Sequence, residues 1–336
     1  MKTVTLARNA MATRFEIVLH GENQRALRAA GEEALDEIAR IEAQLSPYVP
    51  TSEIAHVNAR ASREAVRVTP KVFALLQKAK QISDETKGVF DITVAPLVRC
   101  WGFTNDNGRI PSLDELAEAR AKVGIDLVQL NETDCTVRFT REGVALDFGA
   151  IGKGYAIERA AKVFREAGVA SALLHGGTST IYALGHPPDA DRWKVAIDGP
   201  PWMRSANSPS LALVHLKDES LSVSGAWGRS FQADGKTFGH VLDPRTGWPV
   251  NNSLLAAVIL PSATETDAFS TALLVASSSG HDNIARLRQG MRTLLAVQAE
   301  DGKGFRVESK GIEAQPLPQP QNRRKEMTVE KSPARD

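Results

Sequence analysis

Residues 145–161 read ALDFGAIGKGYAIERAA, and this stretch constrains the fold most. A β-like apolar run enters three glycines and a lysine, and a helical pattern starts at once. Glycines at such a junction let backbone N–H groups approach an anion, and the helix dipole and Lys153 both favour negative charge there. The spacing fits neither common phosphate signature. A Walker A loop needs four residues between its first glycine and the Gly-Lys pair, then Ser or Thr. Here only Ala150 and Ile151 separate Gly149 from Gly152, and Gly154 follows Lys153. The G-x-G-x-x-G dinucleotide fingerprint fails on spacing too. A Gly-rich turn with an exposed lysine is the plain alternative. Why Asp147 stands directly before the loop is open at this point.

The rest of the chain mixes the two periodicities. Phe15, Ile17 and Leu19 alternate with polar residues and predict a strand. Glu22 to Leu45 carries Leu27, Ala34, Ile38, Ile41 and Leu45 at helical spacing, an amphipathic helix packed on a sheet. Thr69-Pro70 opens a second helix, and Ser112 with Glu115 makes a capping-box pattern for a third. The runs VALDF, SALLH, WKVAI, LALVHL and LLAAVIL read as strands, as does the alternation of Phe90, Ile92 and Val94. Lys153 to Ala167 and Thr264 to Ser277 read as helices. Strands are not regularly followed by helices, so the expected class is α+β, mixed sheets with flanking helices. One domain is expected over residues 1–314. Residues 315–336, rich in proline and charge, are expected to be a disordered tail.

The bulk numbers exclude several classes. A chain of 336 residues with 42% apolar and 24% charged residues is an ordinary globular protein. A net charge of +1 gives no broad basic field for nucleic acid or acidic membrane. No apolar run approaches the roughly 20 residues that span a bilayer. The start MKTVTLARNAMATRF has no apolar core of a secretion signal, which reads as cytoplasmic. Cys100 and Cys135 follow no metal or redox spacing.

Polar clusters supply the candidate chemistry. In TETDAFSTA, Asp267 and Thr271 stand at i and i+4 on one helix face. A carboxylate and a hydroxyl there suit magnesium with phosphate oxygens; alternatively, Asp267 complements its own helix N-terminus with Thr264 as cap. GHVLDPRTGWPV has tight-turn composition, and His240 just before the turn can take a proton at neutral pH. Asp243 is the alternative base. Asp91, in GVFDITVAPLVRCWGF, either caps a turn or grips a ring with polar edges. Gly176-Gly177 either brings backbone close to a ligand or makes a bulge. Tyr48 either stacks on a planar ligand or packs on the surface.

These clusters, with MATRFEI, LSPYVPTSEIAHVN and HGGTSTIYALG, resemble in order and content the ApbE family of FAD:protein FMN transferases, from about Met11 to Ala276. The resemblance implies an ApbE-like fold and a loop that holds the FAD pyrophosphate and a magnesium ion. It implies that Asp147 and Lys153 contact FAD. It implies metal ligation by the Ala150 carbonyl, Asp267 and Thr271, with Ser270 in support. Met11, Tyr48, the Val89-Phe90-Asp91 segment and the backbone at Val241 would line the flavin and adenine portions. Two departures stand out. The usual Met-Gly-Thr reads Met11-Ala12-Thr13, a change expected to be tolerated, and His175 and Thr178 flank the double glycine where Asn or Asp is usual.

The reaction implied is attack by a threonine or serine hydroxyl of an acceptor flavoprotein on the FMN phosphorus of FAD, with AMP leaving. His240 is the expected base. The alternatives are an FAD pyrophosphatase, a carrier that keeps FAD intact, and an assembly factor acting by contact alone. Many family members are exported, which sets a periplasmic location against the cytoplasmic reading.

Overall fold

A computed structural model describes residues 1–105, 107–200, 210–299 and 304–315. The expected tail lies outside the described residues apart from Gln315, whose N–H donates to the Leu211 carbonyl. The chain opens with a hairpin of β1 (Lys2–Ala10) and β2 (Thr13–Gly21), followed by α1 (Gln24–Leu45) and α2 (Glu53–Arg60). Strand β3 (Val66–Arg67) leads to α3 (Pro70–Glu85), α4 (Ala95–Cys100) and α5 (Leu113–Arg120). Then come β4 (Val128–Asn131), β5 (Thr136–Phe139) and α6 (Gly152–Glu166). The second half runs β6 (Ser171–Gly176), β7 (Thr180–Leu184), β8 (Trp193–Ile197), β9 (Ala212–Leu216) and β10 (Glu219–Gly225). It ends with β11 (Ser230–Ala233), β12 (Lys236–Gly239), β13 (Ser253–Leu260), α7 (Ala263–Ala285), β14 (Arg292–Gln298) and β15 (Phe305–Lys310).

Eight of these strands form one sheet in the order β1-β2-β6-β7-β10-β13-β14-β15, with every neighbouring pair antiparallel. Side chains alternate across a strand, so each face collects its own set. On one face Phe15, Ile17, Leu174, Val258 and Leu295 pack with Ile38 of α1, Ile157 of α6 and Phe269 of α7. On the other, Leu221, Ile259 and Leu294 pack with Trp193, Val195 and Leu216 of the β8–β9 ribbon. A third, aromatic cluster joins Trp101 and Phe103 to Phe238 and Leu242. Helices cover one face of an antiparallel sheet, so the α+β expectation holds.

Local signals worked where side chains cap backbone. Asn23 caps α1 by accepting from the N–H groups of Arg25 and Ala26. Ser112 and Glu115 form the expected capping box. Thr69 precedes α3 as expected, but its hydroxyl donates to Glu53 instead of capping the helix. Helix α7 runs eight residues past Ser277, where the backbone kinks (φ 55°, ψ −163°).

Two expected strands are not strands. VALDF joins no sheet: the Asn58 side chain takes the place of a neighbouring strand. Its Nδ2 donates to the Leu146 carbonyl at 3.0 Å and its Oδ1 accepts the Leu146 N–H at 2.7 Å. The segment from Gly88 to Val94 is a series of turns, because the Asp91 and Thr93 side chains capture backbone N–H groups, locally that of Thr93 and at a distance those of Gly124 and Ile125.

The β1–β2 hairpin turns through Met11 (φ 50°) and Ala12 (φ 56°). Two consecutive left-handed residues are what Asn-Gly supplies in such a turn, so alanine here is strained. We expect Ala12→Gly to stabilise the protein by about 1 kcal/mol, read as a higher urea midpoint at unchanged slope. A lower midpoint would remove strain at this turn as an explanation.

Candidate active site

Asp147 stands at the entrance of the glycine loop. Its Oδ1 accepts the Gly149 N–H at 2.7 Å, and its own N–H donates to the Ile92 carbonyl at 2.7 Å. The aspartate therefore closes the loop and ties it to the turns around Asp91. Helix α6 then starts with no cap from the Ile151 side chain, and the positive end of its dipole faces the loop. Lys153 Nζ reaches back over the loop to the Gly149 carbonyl at 3.3 Å.

Gly154 explains the last glycine of the motif. A Cβ there would lie 2.1 Å from the Ala263 carbonyl and 2.6 Å from Cβ of Asp267. Only glycine allows α6 and α7 to meet this closely. The contact delivers Asp267 to the loop: the Gly154 N–H donates to Asp267 Oδ2 at 2.8 Å. Asp267 is buried, and Thr180 Oγ1 donates to its Oδ1 at 3.4 Å. The alternative in which Asp267 serves its own helix does not hold. Ser262, not Thr264, is the N-cap of α7, and the Asp267 side chain crosses to α6.

Thr271 and Ser270 lie one turn further along α7. Ser224 Oγ stands 3.1 Å from Thr271 Oγ1 and 2.8 Å from Ser270 Oγ. Ala150, half-buried, sits in the loop just ahead of α6. Among the described residues no group of three or more His, Cys, Asp or Glu side chains is placed to hold a metal. A cation at Asp267 would thus rest on one carboxylate plus hydroxyl and carbonyl oxygens. That hard, weakly charged set fits magnesium, which keeps waters and takes further ligands from phosphate.

His240 lies across the site. Its backbone N–H donates to the Arg229 carbonyl at 2.9 Å, and its Nδ1 lies 3.2 Å from the same oxygen. A carbonyl only accepts, so Nδ1 carries the proton and Nε2 keeps its lone pair. A Cβ on Gly228 would approach His240 Cε1 to 2.7 Å, so the glycine makes room for the ring. Burial, followed by the Arg229 and Lys153 charges, holds the imidazole pKa below its ordinary value despite the hydrogen bond to the Arg229 carbonyl. At neutral pH the ring is an uncharged base. Asp243 makes a poor alternative base: its oxygens accept from the Arg245 N–H, Nε and Nη2 at 2.9, 2.9 and 2.8 Å. It shapes the expected turn, which Trp101 Nε1 pins through the Gly247 carbonyl at 2.8 Å. The Val241 carbonyl accepts from Val250 across the same turn.

Around this core the remaining candidates divide. Tyr48 is 61% exposed and free to meet a flat ligand, yet partial burial of its phenol and the nearby Asp147 charge push its pKa up. Met11 sits in the strained turn, its N–H on Glu42 at 2.6 Å. Val89, Phe90 and Asp91 are buried. Asp91 accepts from the Thr93 N–H and hydroxyl and from the Ile125 N–H, so it holds turns together and offers no free side chain. Burial pushes its pKa up against those bonds. Gly176-Gly177 closes the β6–β7 hairpin, with Gly177 at φ 60°.

Sequence reasoning missed two sets of residues. Arg99 and Arg229 place positive charge near Tyr48. Arg99 lies within a quoted motif but carries no pattern of its own. Ser220, Ser222 and Ser224 alternate on β10 and face α7; their period of two was the available signal. The whole arrangement gathers a helix N-terminus, a lysine, an oxygen-lined carboxylate and a neutral imidazole. It can bind a multiply charged anion and accept a proton beside it.

The sequence profile of the ApbE family matches residues 11–295. An FAD:protein FMN transferase of Klebsiella pneumoniae (strain 342) is 29% identical over 289 residues, covering 84% of this chain and 79% of that protein. The ApbE protein of Thermotoga maritima superposes with a TM-score of 0.82 at 26% identity, covering 92% of this chain and 97% of that one. The flavinyl transferase ApbE of Pseudomonas stutzeri, in its apo form, does so at 0.81 and 26%, covering 92% and 95%.

Proposed function

The chain belongs to the ApbE family, and on that premise we propose that it transfers the FMN half of FAD to a threonine or serine hydroxyl of an acceptor flavoprotein. The observation that carries this reading is the junction of α6 and α7, where the start of α6, Lys153 and the Asp267 carboxylate surround one loop, and the Lys153 charge is felt by His240. The α6 terminus and Lys153 bind the pyrophosphate of FAD. Asp147 keeps the loop closed, and Tyr48 and Met11 border the flavin or adenine. Val89, Phe90 and Asp91 shape the floor, and the backbone at Val241 forms part of the wall. Asp267, Thr271 and the Ala150 carbonyl, with Ser270 behind them, would hold magnesium, which when bound withdraws charge from the pyrophosphate.

His240 Nε2 takes the proton as the acceptor oxygen bonds to the FMN phosphorus. The bond from that phosphorus to the bridging oxygen breaks, and AMP leaves with the electron pair. The test is incubation with FAD, Mg2+ and a candidate flavoprotein, followed by a denaturing gel. A fluorescent band on the acceptor with one AMP per flavin is expected. Free FMN and AMP with no labelled protein would make the chain a pyrophosphatase, and intact FAD would make it a carrier. The described residues contain no helix long and apolar enough to cross a membrane.

A further inference from the structure

Behind Asp267 lies a row of buried hydroxyls that binds no part of FAD in the reading above. Thr180, at the start of β7, is fully buried and donates from Oγ1 to Asp267 Oδ1 at 3.4 Å. Ser222, on the neighbouring strand β10, is also fully buried. Its Oγ lies 3.2 Å from Thr180 Oγ1 and 2.8 Å from Thr266 Oγ1. Thr266 passes its own proton to the Ala263 carbonyl at 3.0 Å. A hydroxyl has one proton. A carboxylate oxygen accepts, so the contact between Thr180 and Asp267 is made with the Thr180 proton. The Gly154 N–H fixes the other carboxylate oxygen at 2.8 Å. Both oxygens are thereby oriented by donors, and each keeps lone pairs for a cation.

Two layers can be joined by apolar packing alone, as Leu221 and Ile259 join the sheet to the β8–β9 ribbon on the opposite face. Buried hydroxyls cost free energy unless they are hydrogen-bonded, and a row of them ending on one carboxylate points to a task for that carboxylate. We propose that Thr180, backed by Ser222, is a positioning residue that orients Asp267 for the divalent cation. The proposal rests on the metal reading of Asp267 given above. Donors behind a metal-binding carboxylate typically tune affinity by about 10–100-fold.

The test is titration of the full chain with Mn2+, followed by electron paramagnetic resonance of the free ion, without FAD and without turnover. Thr180→Val keeps shape and removes the hydroxyl; we expect about 10-fold weaker Mn2+ binding. Thr180→Ser restores the donor and should return affinity to the wild-type value. A folded Thr180→Val protein that binds Mn2+ as wild type overturns the proposal, since a purely structural hydroxyl would change melting but not affinity. If Thr180→Val does not fold, Ser222→Ala decides in the same titration: about 3-fold weaker binding is expected from losing the hydroxyl that holds Thr180 in place, and unchanged affinity overturns the proposal. Asp267→Asn separates this inference from its premise. If that variant binds Mn2+ like wild type, the metal reading falls and the positioning role falls with it. If it loses Mn2+ while Thr180→Val does not, only the positioning role fails.

Discussion

Asp267→Asn is expected to abolish flavin transfer while leaving the protein folded. Asparagine keeps an oxygen for the Gly154 N–H, and Thr180 can turn its hydroxyl to accept from the amide, so the α6–α7 contact survives. What disappears is the negative charge. With one carboxylate in the proposed set, its loss leaves only neutral oxygens to compete with water for a strongly hydrated ion. The loss should exceed the roughly 10–100-fold that outlying partners cost, and excess Mg2+ should not restore the rate. AMP release across a Mg2+ series, with circular dichroism as the fold control, reads this out. Turnover of the wild-type protein in chelator at its full rate would rule out the metal role.

His240→Ala is the second large effect, and it separates chemistry from binding. The base must be unprotonated to act. Burial and the Arg229 and Lys153 charges lower the imidazole pKa, so the ring is already neutral at pH 7. The wild-type rate should therefore be flat through neutral pH and fall on acidification below the ordinary histidine value, about 6.5. The alanine variant should lose about 100-fold or more in rate, lose that acidic limb, and keep its FAD affinity. Flavin fluorescence titration and AMP release on the same variant decide. Weak FAD binding with near-normal rate at saturation would instead make His240 a ligand of the flavin nucleotide.

The parts of this molecule legible in sequence are those with a local cause. Ser112 and Glu115 declared α5 because a capping box is contained within four residues. The apolar spacing of α1 and the alternation in β2 fixed which faces are buried. VALDF was misread because its partner is a side chain: Asn58 is 88 residues from Leu146, and nothing local announces that pairing. The turns around Asp91 were misread because an apolar alternation outweighed two side chains that capture backbone. In the site, the loop, Asp267 and His240 stood out as clusters. The tautomer of His240 did not, since it depends on a carbonyl 11 residues away. The hydroxyls behind Asp267 were invisible singly, because serine and threonine in strands signal nothing until two strands and a helix converge.

The close approach at Gly154 has a thermodynamic corollary. One peptide group there serves two masters: it belongs to the first turn of α6, the proposed anion site, and it donates to the Asp267 carboxylate, the proposed metal ligand. If pyrophosphate and magnesium bind on either side of that group, neither can tighten without pulling on the other's partner. Opposite charges on the two proposed ligands make the coupling favourable, and linkage makes it mutual, so each would raise the other's affinity by the same factor. On the proposed binding mode the loop works as an AND gate, filled by nucleotide and metal together and poorly by either alone.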